Sequence, residues 1–562
     1  MQRDLNMDTQ AKRSGAEIFL EILESEGAEY IFGNPGTTEL PLIDALIDHP
    51  NIHYVWGLQE ASVVAMADGY AQASGKPGVI NLHTAGGFGN GAGNLLNALT
   101  TGTPLIVTAG QQDTRHSIYD PLLQGDLVSI ATPICKWAAE VGSPEQLPVL
   151  IHRAFQDSVA TPSGAVFLSL PMNVMEAKCS IKIQNISHVD RRPVAHSLKE
   201  LATELSMFAP GKIAIVAGDE ISENDAYKEV VTLAETLAAP VFGSSWPAHI
   251  PYPTSHYLWQ GNLPTDADGI AKEMRDFDCI LAFGGKSFIT VLYSDTSPLP
   301  SGCELFQLSS DGRDLGRSYP SKLSLVGDIE YSVRELNGLL AKSLSTNFQQ
   351  YEAQRRSAEK SFYDRKESLH KKADELANQS PIHPMVAARE LASGIGKTPI
   401  IDEALATAID LRNFLDNDRS KQYSLNRGGA LGWGMPAAIG FSLGIGRKAV
   451  VSIVGDGAAM YSPQALWTAA YEKLPVTFII INNREYNILK NFMRSQKDYA
   501  SAQTEKFIAM DITDPPIDFL ALAKSMGIKS QRVTCATDIS SAVEKAISSN
   551  APNLIEIVVA AQ

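Results

Sequence analysis

Val450-Val-Ser-Ile-Val-Gly455-Asp456-Gly457-Ala458-Ala459 and, after an Ala-rich helical stretch, Leu474-Pro-Val-Thr-Phe-Ile-Ile-Ile-Asn482-Asn483 decide how this chain is read. Each segment carries an apolar, β-branched run of the kind that forms a strand covered on both faces of a parallel sheet. The first run ends on glycines, which let the backbone approach a phosphate closely. An acidic residue in that turn cannot serve an anion directly and needs a cation between them, a place that magnesium suits. Asp456 and the side-chain oxygen of Asn483 are hard ligands at the carboxyl ends of two neighbouring strands, where doubly wound sheets bind ligands. A lone Gly-Asp-Gly is more simply an ordinary strand-to-helix turn. The Leu-Pro-Val entry and double-Asn ending of the next strand favour a diphosphate and metal site instead.

Working outward, the last block adds strands at Pro399-Ile-Ile-Asp and Asn553-Leu-Ile-Glu-Ile-Val-Val. The first third alternates in the same way, with runs at Tyr30-Ile-Phe, Gly78-Val-Ile-Asn-Leu, Pro104-Leu-Ile-Val-Thr and Ala165-Val-Phe-Leu-Ser-Leu, and helices at Glu17 to Glu26 and Gln59 to Ala73. A middle block carries Lys212-Ile-Ala-Ile-Val-Ala-Gly, Ala239-Pro-Val-Phe and Cys279-Ile-Leu-Ala-Phe-Gly-Gly. The stretch from Asn347 to Gln379 is charged and nearly free of Gly and Pro, and reads as a solvated helical connector. The pattern predicts an α/β protein of three doubly wound parallel-sheet domains, at 14–186, 200–345 and 381–562, with the connector at 346–380. The first and third blocks could be distant duplicates.

Composition fits. The chain has 562 residues, 44% hydrophobic and 20% charged, which is globular rather than disordered. Its net charge of −16 argues against binding nucleic acid. The N-terminal segment Met1–Arg13 has no apolar stretch, and no run approaches the ~18 apolar residues of a membrane span, so a cytoplasmic protein with no membrane partner is expected. The five cysteines, Cys135, Cys179, Cys279, Cys303 and Cys535, form no CxxC pair and are expected as buried reduced thiols.

The Gly-Asp-Gly to Asn-Asn segment resembles the diphosphate and magnesium motif of the thiamine-diphosphate-dependent enzymes. The likeness extends through Phe32-Gly-Asn-Pro-Gly, Gln59-Glu60-Ala61, Ala67-Asp-Gly-Tyr-Ala, Asn81-Leu-His83, Thr108-Ala-Gly-Gln-Gln and Gly428-Gly-Ala-Leu-Gly. It is nearest to the benzoylformate decarboxylases, with the acetohydroxyacid synthases a little further off. The resemblance implies a pyrimidine-binding first domain, a central domain and a diphosphate-binding third domain. It implies that Asp456, Asn483 and the backbone carbonyl of Glu485 hold magnesium, and that Gly455, Gly457, Ala458, Ala459 and Tyr486 cradle the diphosphate. Gly429 would accept from the 4′-amino group through its carbonyl, and Leu431 would wedge the cofactor rings into the bent form. Glu60 would bond N1′ and so activate C2. His83 would match the active-site histidine of the decarboxylases as a proton shuttle or carboxylate partner.

Two departures stand out. Thr37 occupies the place of a serine, keeping the hydroxyl but stiffening its rotamer. A second histidine falls by alignment near Thr290 or Val291 and is absent. The implied activity is decarboxylation of an apolar or aromatic 2-oxo acid to carbon dioxide and an aldehyde. The alternative is a carboligase or 2-hydroxyacyl lyase, including an acetolactate-synthase-like transferase. A noncatalytic scaffold would not need Glu60 together with Asp456 and Asn483. The substrate pocket is expected from Thr37, His83, Phe288 to Leu292, Ile488, Leu489 and Phe492. By resemblance the active sites lie between subunits of a homodimer or homotetramer.

Overall fold

A computed structural model of the chain describes residues 12–284, 286–343 and 348–561. Most of the expected polar segment Met1–Arg13 and the expected 345/346 boundary lie outside the described residues. Three six-stranded sheets carry the architecture. The first comprises β1 (Tyr30–Gly33), β2 (His53–Trp56), β3 (Gly78–His83), β4 (Leu105–Gln111), β5 (Ala138–Glu140) and β6 (Ala165–Pro171), ordered β2-β1-β3-β4-β6-β5 and parallel throughout. The central sheet is also parallel. It holds β7 (Ile213–Ala217), β8 (Val241–Gly243), β9 (Trp259–Asn262), β10 (Cys279–Phe283), β11 (Glu304–Ser309) and β12 (Leu323–Val326), ordered β9-β8-β7-β10-β11-β12.

The third sheet contains β13 (Ile400–Glu403), β14 (Tyr423–Leu425), β15 (Val450–Gly455), β16 (Val476–Asn482), β17 (Lys529–Val533) and β18 (Asn553–Val558), in the order β14-β13-β15-β16-β18-β17. That is the order of the first sheet, with the same parallel sense, while the central sheet differs. Helices cover both faces, so interior strands are apolar on both sides: Ile80, Val107, Phe167, Ile453 and Ile479 are all inaccessible to solvent.

The helix α1 (Gly15–Ser25) starts on a capping box in which Ser14 accepts from the Glu17 N–H and Glu17 accepts from the Ser14 N–H. The two helices that join the first and third blocks are α2 (Glu60–Ser74) and, following the site-bearing helix α3 (Thr84–Thr101) and the connector helix α4 (Phe348–Glu375), α5 (Gly434–Gly444). They cross in backbone contact. A Cβ on Gly69 would lie 2.1 Å from the Ala437 carbonyl oxygen, and one on Gly440 would lie 1.7 Å from that of Met66. At the same crossing Trp433 Nε1 donates to the fully buried Asp68 at 2.7 Å. The central block meets the third at its edge strand, where Leu425 N–H donates to Ala248 at 2.7 Å and Arg427 pairs with Asp219.

All five cysteines are free thiols, but Cys303 is only half-buried and Cys535 is exposed, which corrects the expectation that all are buried. Cys535 caps a short turn after the edge strand β17, where nothing packs over it. Among the described residues no helix is long and apolar enough to cross a membrane.

Candidate active site

Two groups of side chains form at the carboxyl ends of sheet strands. In the first block Gln59 caps α2 by accepting from the Ser62 N–H, which places Glu60 in the first turn. Glu60 is buried, and its two oxygens accept from Asn34 Nδ2 and Asn90 Nδ2, each at 3.1 Å. Gly87 on α3 separates Glu60 from His83: a Cβ there would touch Glu60 Cγ at 3.4 Å and His83 Cβ at 3.6 Å. His83 ends β3. Its Nδ1 lies 2.8 Å from Glu39 Oε2 and 3.1 Å from Thr38 Oγ1.

Thr37, selected from the sequence for its hydroxyl, is exposed, and the hydroxyl that reaches the imidazole belongs to Thr38. The cause is local: Thr37–Glu39 is a 3₁₀ turn, which sends successive side chains about 120° apart. Glu39, 2% exposed, was also missed by sequence reasoning. Its only sequence signal was a carboxylate three residues beyond the flexible Gly36.

In the third block the 426–434 loop is held from both sides. Gly429 sits at φ +80°, in the left-handed region that favours glycine, and its N–H donates to Asn426 Oδ1 at 3.1 Å. The Ala430 carbonyl accepts from Asn426 and from Asn97 of α3, at 2.7 and 2.8 Å. Beneath the loop, buried Glu403 accepts from Asn426 Nδ2 and from the N–H groups of Trp433 and Gly434, at 2.8, 3.1 and 3.0 Å. Leu431 is half-buried beside it.

Asp456 follows β15 and is buried; Asn483 follows the adjacent β16, in line with the register Gly455 to Ile481. Asp456 accepts from the N–H groups of Gly457 and Arg484 at 2.8 and 2.6 Å and makes no ion pair among the described residues. Burial, with a smaller push from Glu485, raises its pKa to about 6 against those backbone donors. Asn483 Oδ1 accepts from the Glu485 N–H at 3.1 Å. Ala458 and Ala459 are buried, and a Cβ on Gly457 would meet the Tyr486 ring at 2.5 Å. The Glu485 carboxylate is turned aside to Lys490, which also binds Asp511 at 2.6 Å. A cavity of about 220 Å³ opens beside Asp456, lined by Asn482, Arg484 and Ile512 among others.

This donor set fits a hard divalent cation: a buried carboxylate without a cationic partner, an amide oxygen, a carbonyl, and no sulfur. The small residues around it leave room for a diphosphate. Among the described residues no hydrogen bond or ion pair joins the Glu60–His83 group to the Asp456–Asn483 group.

Comparison with known proteins agrees across the whole chain. Models of the thiamine pyrophosphate enzyme N-terminal, central and C-terminal domains match residues 13–127, 208–336 and 407–557. A benzoylformate decarboxylase of Pseudomonas aeruginosa is 30% identical over 543 residues, covering 96% of this chain and 97% of that protein. A probable acetolactate synthase large subunit of Methanocaldococcus jannaschii is 26% identical over 97% of this chain and 92% of its own. The solved thiamine diphosphate-dependent 4-hydroxybenzoylformate decarboxylase of Rhodococcus jostii RHA1 superposes with a TM-score of 0.86 at 27% identity, over 98% of this chain and 100% of its own. With three family domains in order and relatives aligned end to end, the chain belongs to the thiamine pyrophosphate enzyme family, as a decarboxylase or carboligase that uses thiamine diphosphate with a divalent metal such as Mg2+.

Proposed function

We propose that this protein decarboxylates an apolar or aromatic 2-oxo acid, releasing carbon dioxide and an aldehyde. The observation that carries the reading is His83, backed by buried Glu39 and standing one glycine away from Glu60, in a chain similar over its length to decarboxylases of aromatic 2-oxo acids. When bound, thiamine diphosphate supplies a nucleophilic C2 carbon and a ring that accepts the electron pair left by departing carbon dioxide.

The chain's own residues do the rest. Asp456, Asn483 and the Glu485 carbonyl hold the metal, and Gly455, Gly457, Ala458, Ala459 and Tyr486 surround the diphosphate. Gly429 and Leu431 set the ring geometry, Glu60 holds a proton at N1′, and His83 moves a proton at the substrate. Thr37, exposed in the turn after β1, brings a hydroxyl that shares the proton traffic with His83. We assign these roles to domains at 14–186, 200–345 and 381–562 with a connector at 346–380, in a cytoplasmic homodimer or homotetramer.

A carboligase or 2-hydroxyacyl lyase is the second reading. It is favoured by the lack of a histidine near Thr290 and Val291, both exposed. A panel of 2-oxo acids assayed for carbon dioxide release, with and without an acceptor aldehyde, separates the two. Aldehyde accumulating from an aromatic 2-oxo acid regardless of acceptor supports the decarboxylase. Turnover only with an acceptor overturns it.

A further inference from the structure

Glu39 is a charged side chain closed off from solvent, and its surroundings account for all of its acceptor capacity. Oε1 accepts from the Thr38 hydroxyl at 2.7 Å and from the Gly110 N–H at 3.0 Å. Oε2 accepts from the Gly36 N–H at 2.9 Å and lies 2.8 Å from His83 Nδ1. A carboxylate offers about four lone-pair positions; the two backbone N–H groups can only donate, and the Thr38 hydroxyl, which can also accept, donates here. An ionised carboxylate has no hydrogen to give, so its fourth partner donates as well, which places the hydrogen on Nδ1 of His83. Thr38 agrees with this assignment. Its own hydrogen is directed at Glu39, so toward Nδ1 it presents a lone pair. A neutral imidazole with its hydrogen on Nδ1 keeps the lone pair on Nε2.

Two glycines make the arrangement possible. A Cβ on Gly36 would stand 2.3 Å from the His83 ring, and one on Gly110 would stand 2.0 Å from Glu39 Oε1 and 2.3 Å from Thr38 Oγ1. At both positions the side chain is given up so that a backbone N–H can face the carboxylate. The ends of β1, β3 and β4 thus converge on one buried oxygen pair, whose one ionisable hydrogen-bond partner among the described residues is His83.

We infer that Glu39 is the positioning residue of this site: it fixes the His83 ring in the tautomer that leaves Nε2 free to accept a proton and, once charged, to return it. The inference rests on His83 being the proton-transfer group, and Glu39 acts only through that ring. A carboxylate behind a histidine does the same work in hydrolytic triads, where an amide replacement keeps the geometry but selects the wrong tautomer.

The tautomer can be read without turnover. Diethyl pyrocarbonate acylates an imidazole nitrogen that carries a lone pair, and buried Glu39 closes the Nδ1 side, so His83 labelling in the cofactor-free protein, scored by peptide mass spectrometry against exposed His116, follows the lone pair on Nε2. Labelling of His83 relative to His116 should fall about 10-fold in Glu39→Gln, whose amide can donate to Nδ1, and by less in Glu39→Ala, which leaves both tautomers open. Thiamine diphosphate affinity measured by calorimetry should stay within about twofold, which checks folding. In single-turnover decarboxylation Glu39→Gln should lose about 100-fold, as expected for removing a general acid–base. Added to His83→Ala, it should lose nothing further. Unchanged labelling in both Glu39 variants overturns the inference, and so does a loss that multiplies with that of His83→Ala. If His83→Ala keeps wild-type turnover, the proton-transfer reading of His83 fails, while slowed labelling still upholds the hold of Glu39 on the ring.

Discussion

Asp456 is asked to keep a negative charge where solvent cannot help it. Burial pushes its pKa up to about 6, and only backbone N–H groups oppose that. A divalent cation would supply the missing stabilisation, so Asp456→Ala should weaken thiamine diphosphate binding at least 100-fold in magnesium while the fold persists; calorimetry on the folded variant checks this. Glu60→Gln should behave differently. It keeps one acceptor for Asn34 or Asn90 and leaves the residues assigned to the metal and diphosphate untouched, so the cofactor stays bound, but hydrogen–deuterium exchange at its C2 should slow about 100-fold. Equal exchange rates would remove Glu60 from activation. Asp456, Asn483, Glu60 and His83 were recognisable as candidates in sequence because each sits in a short contiguous motif, three at or just after a strand end and Glu60 in the first turn of α2. Glu39 and Asn97 were not, since their partners lie far off in the chain: Gly110 is 71 residues from Glu39, and Ala430 is 333 from Asn97.

The 426–434 loop is shaped by an element beneath it. Glu403, at the end of β13, holds three donors of that loop, and burial pushes its pKa from 4.5 up to about 7. Between those values the folded protein keeps a proton that the unfolded chain has released, so the stability contributed here falls as pH rises through the window and is level outside it. At ~1.4 kcal/mol per pH unit the fall is on the order of 3 kcal/mol. Glu403→Gln has no proton to lose. Denaturation of both proteins from pH 4 to 8 should show their stability difference moving in the variant's favour as pH rises to about 7, and a constant difference would contradict the assignment. Element legibility followed burial in the same way. Interior strands such as Val450–Gly455 announced themselves as unbroken apolar runs. Edge strands such as His53–Trp56 and Lys529–Val533, with half or more of their residues in solvent, carried no such signal. Tyr423–Leu425 is an edge strand that is buried, yet at three residues it was too short to read.

At the scale of the molecule, large apolar side chains remain uncovered on one chain: Ile118, Tyr119 and Leu122 on the loop after β4, with Leu96 and Leu99 on α3. α3 also carries Asn90 and Asn97, which hold Glu60 and the Gly429 loop, so this surface adjoins the candidate site. Light scattering at assay concentration should give a mass of at least two chains, and a fully active monomer would contradict the shared-site proposal. Three-block architecture and the site-bearing third block could be read from sequence. The matching strand order of the first and third sheets could not, because order is set by crossovers rather than by any local run. The side-chain-free crossing of α2 and α5 bears on how the protein is made. About 370 residues separate Gly69 from Gly440, and at ~5–20 residues per second a ribosome needs roughly 20–75 s to reach the second glycine after the first. Throughout that interval the face of α2 that carries Gly69 and Asp68 lacks the helix and the Trp433 donor that cover it in the folded protein. Final packing of the first block therefore waits on the last third of the chain, whatever order its own strands form in.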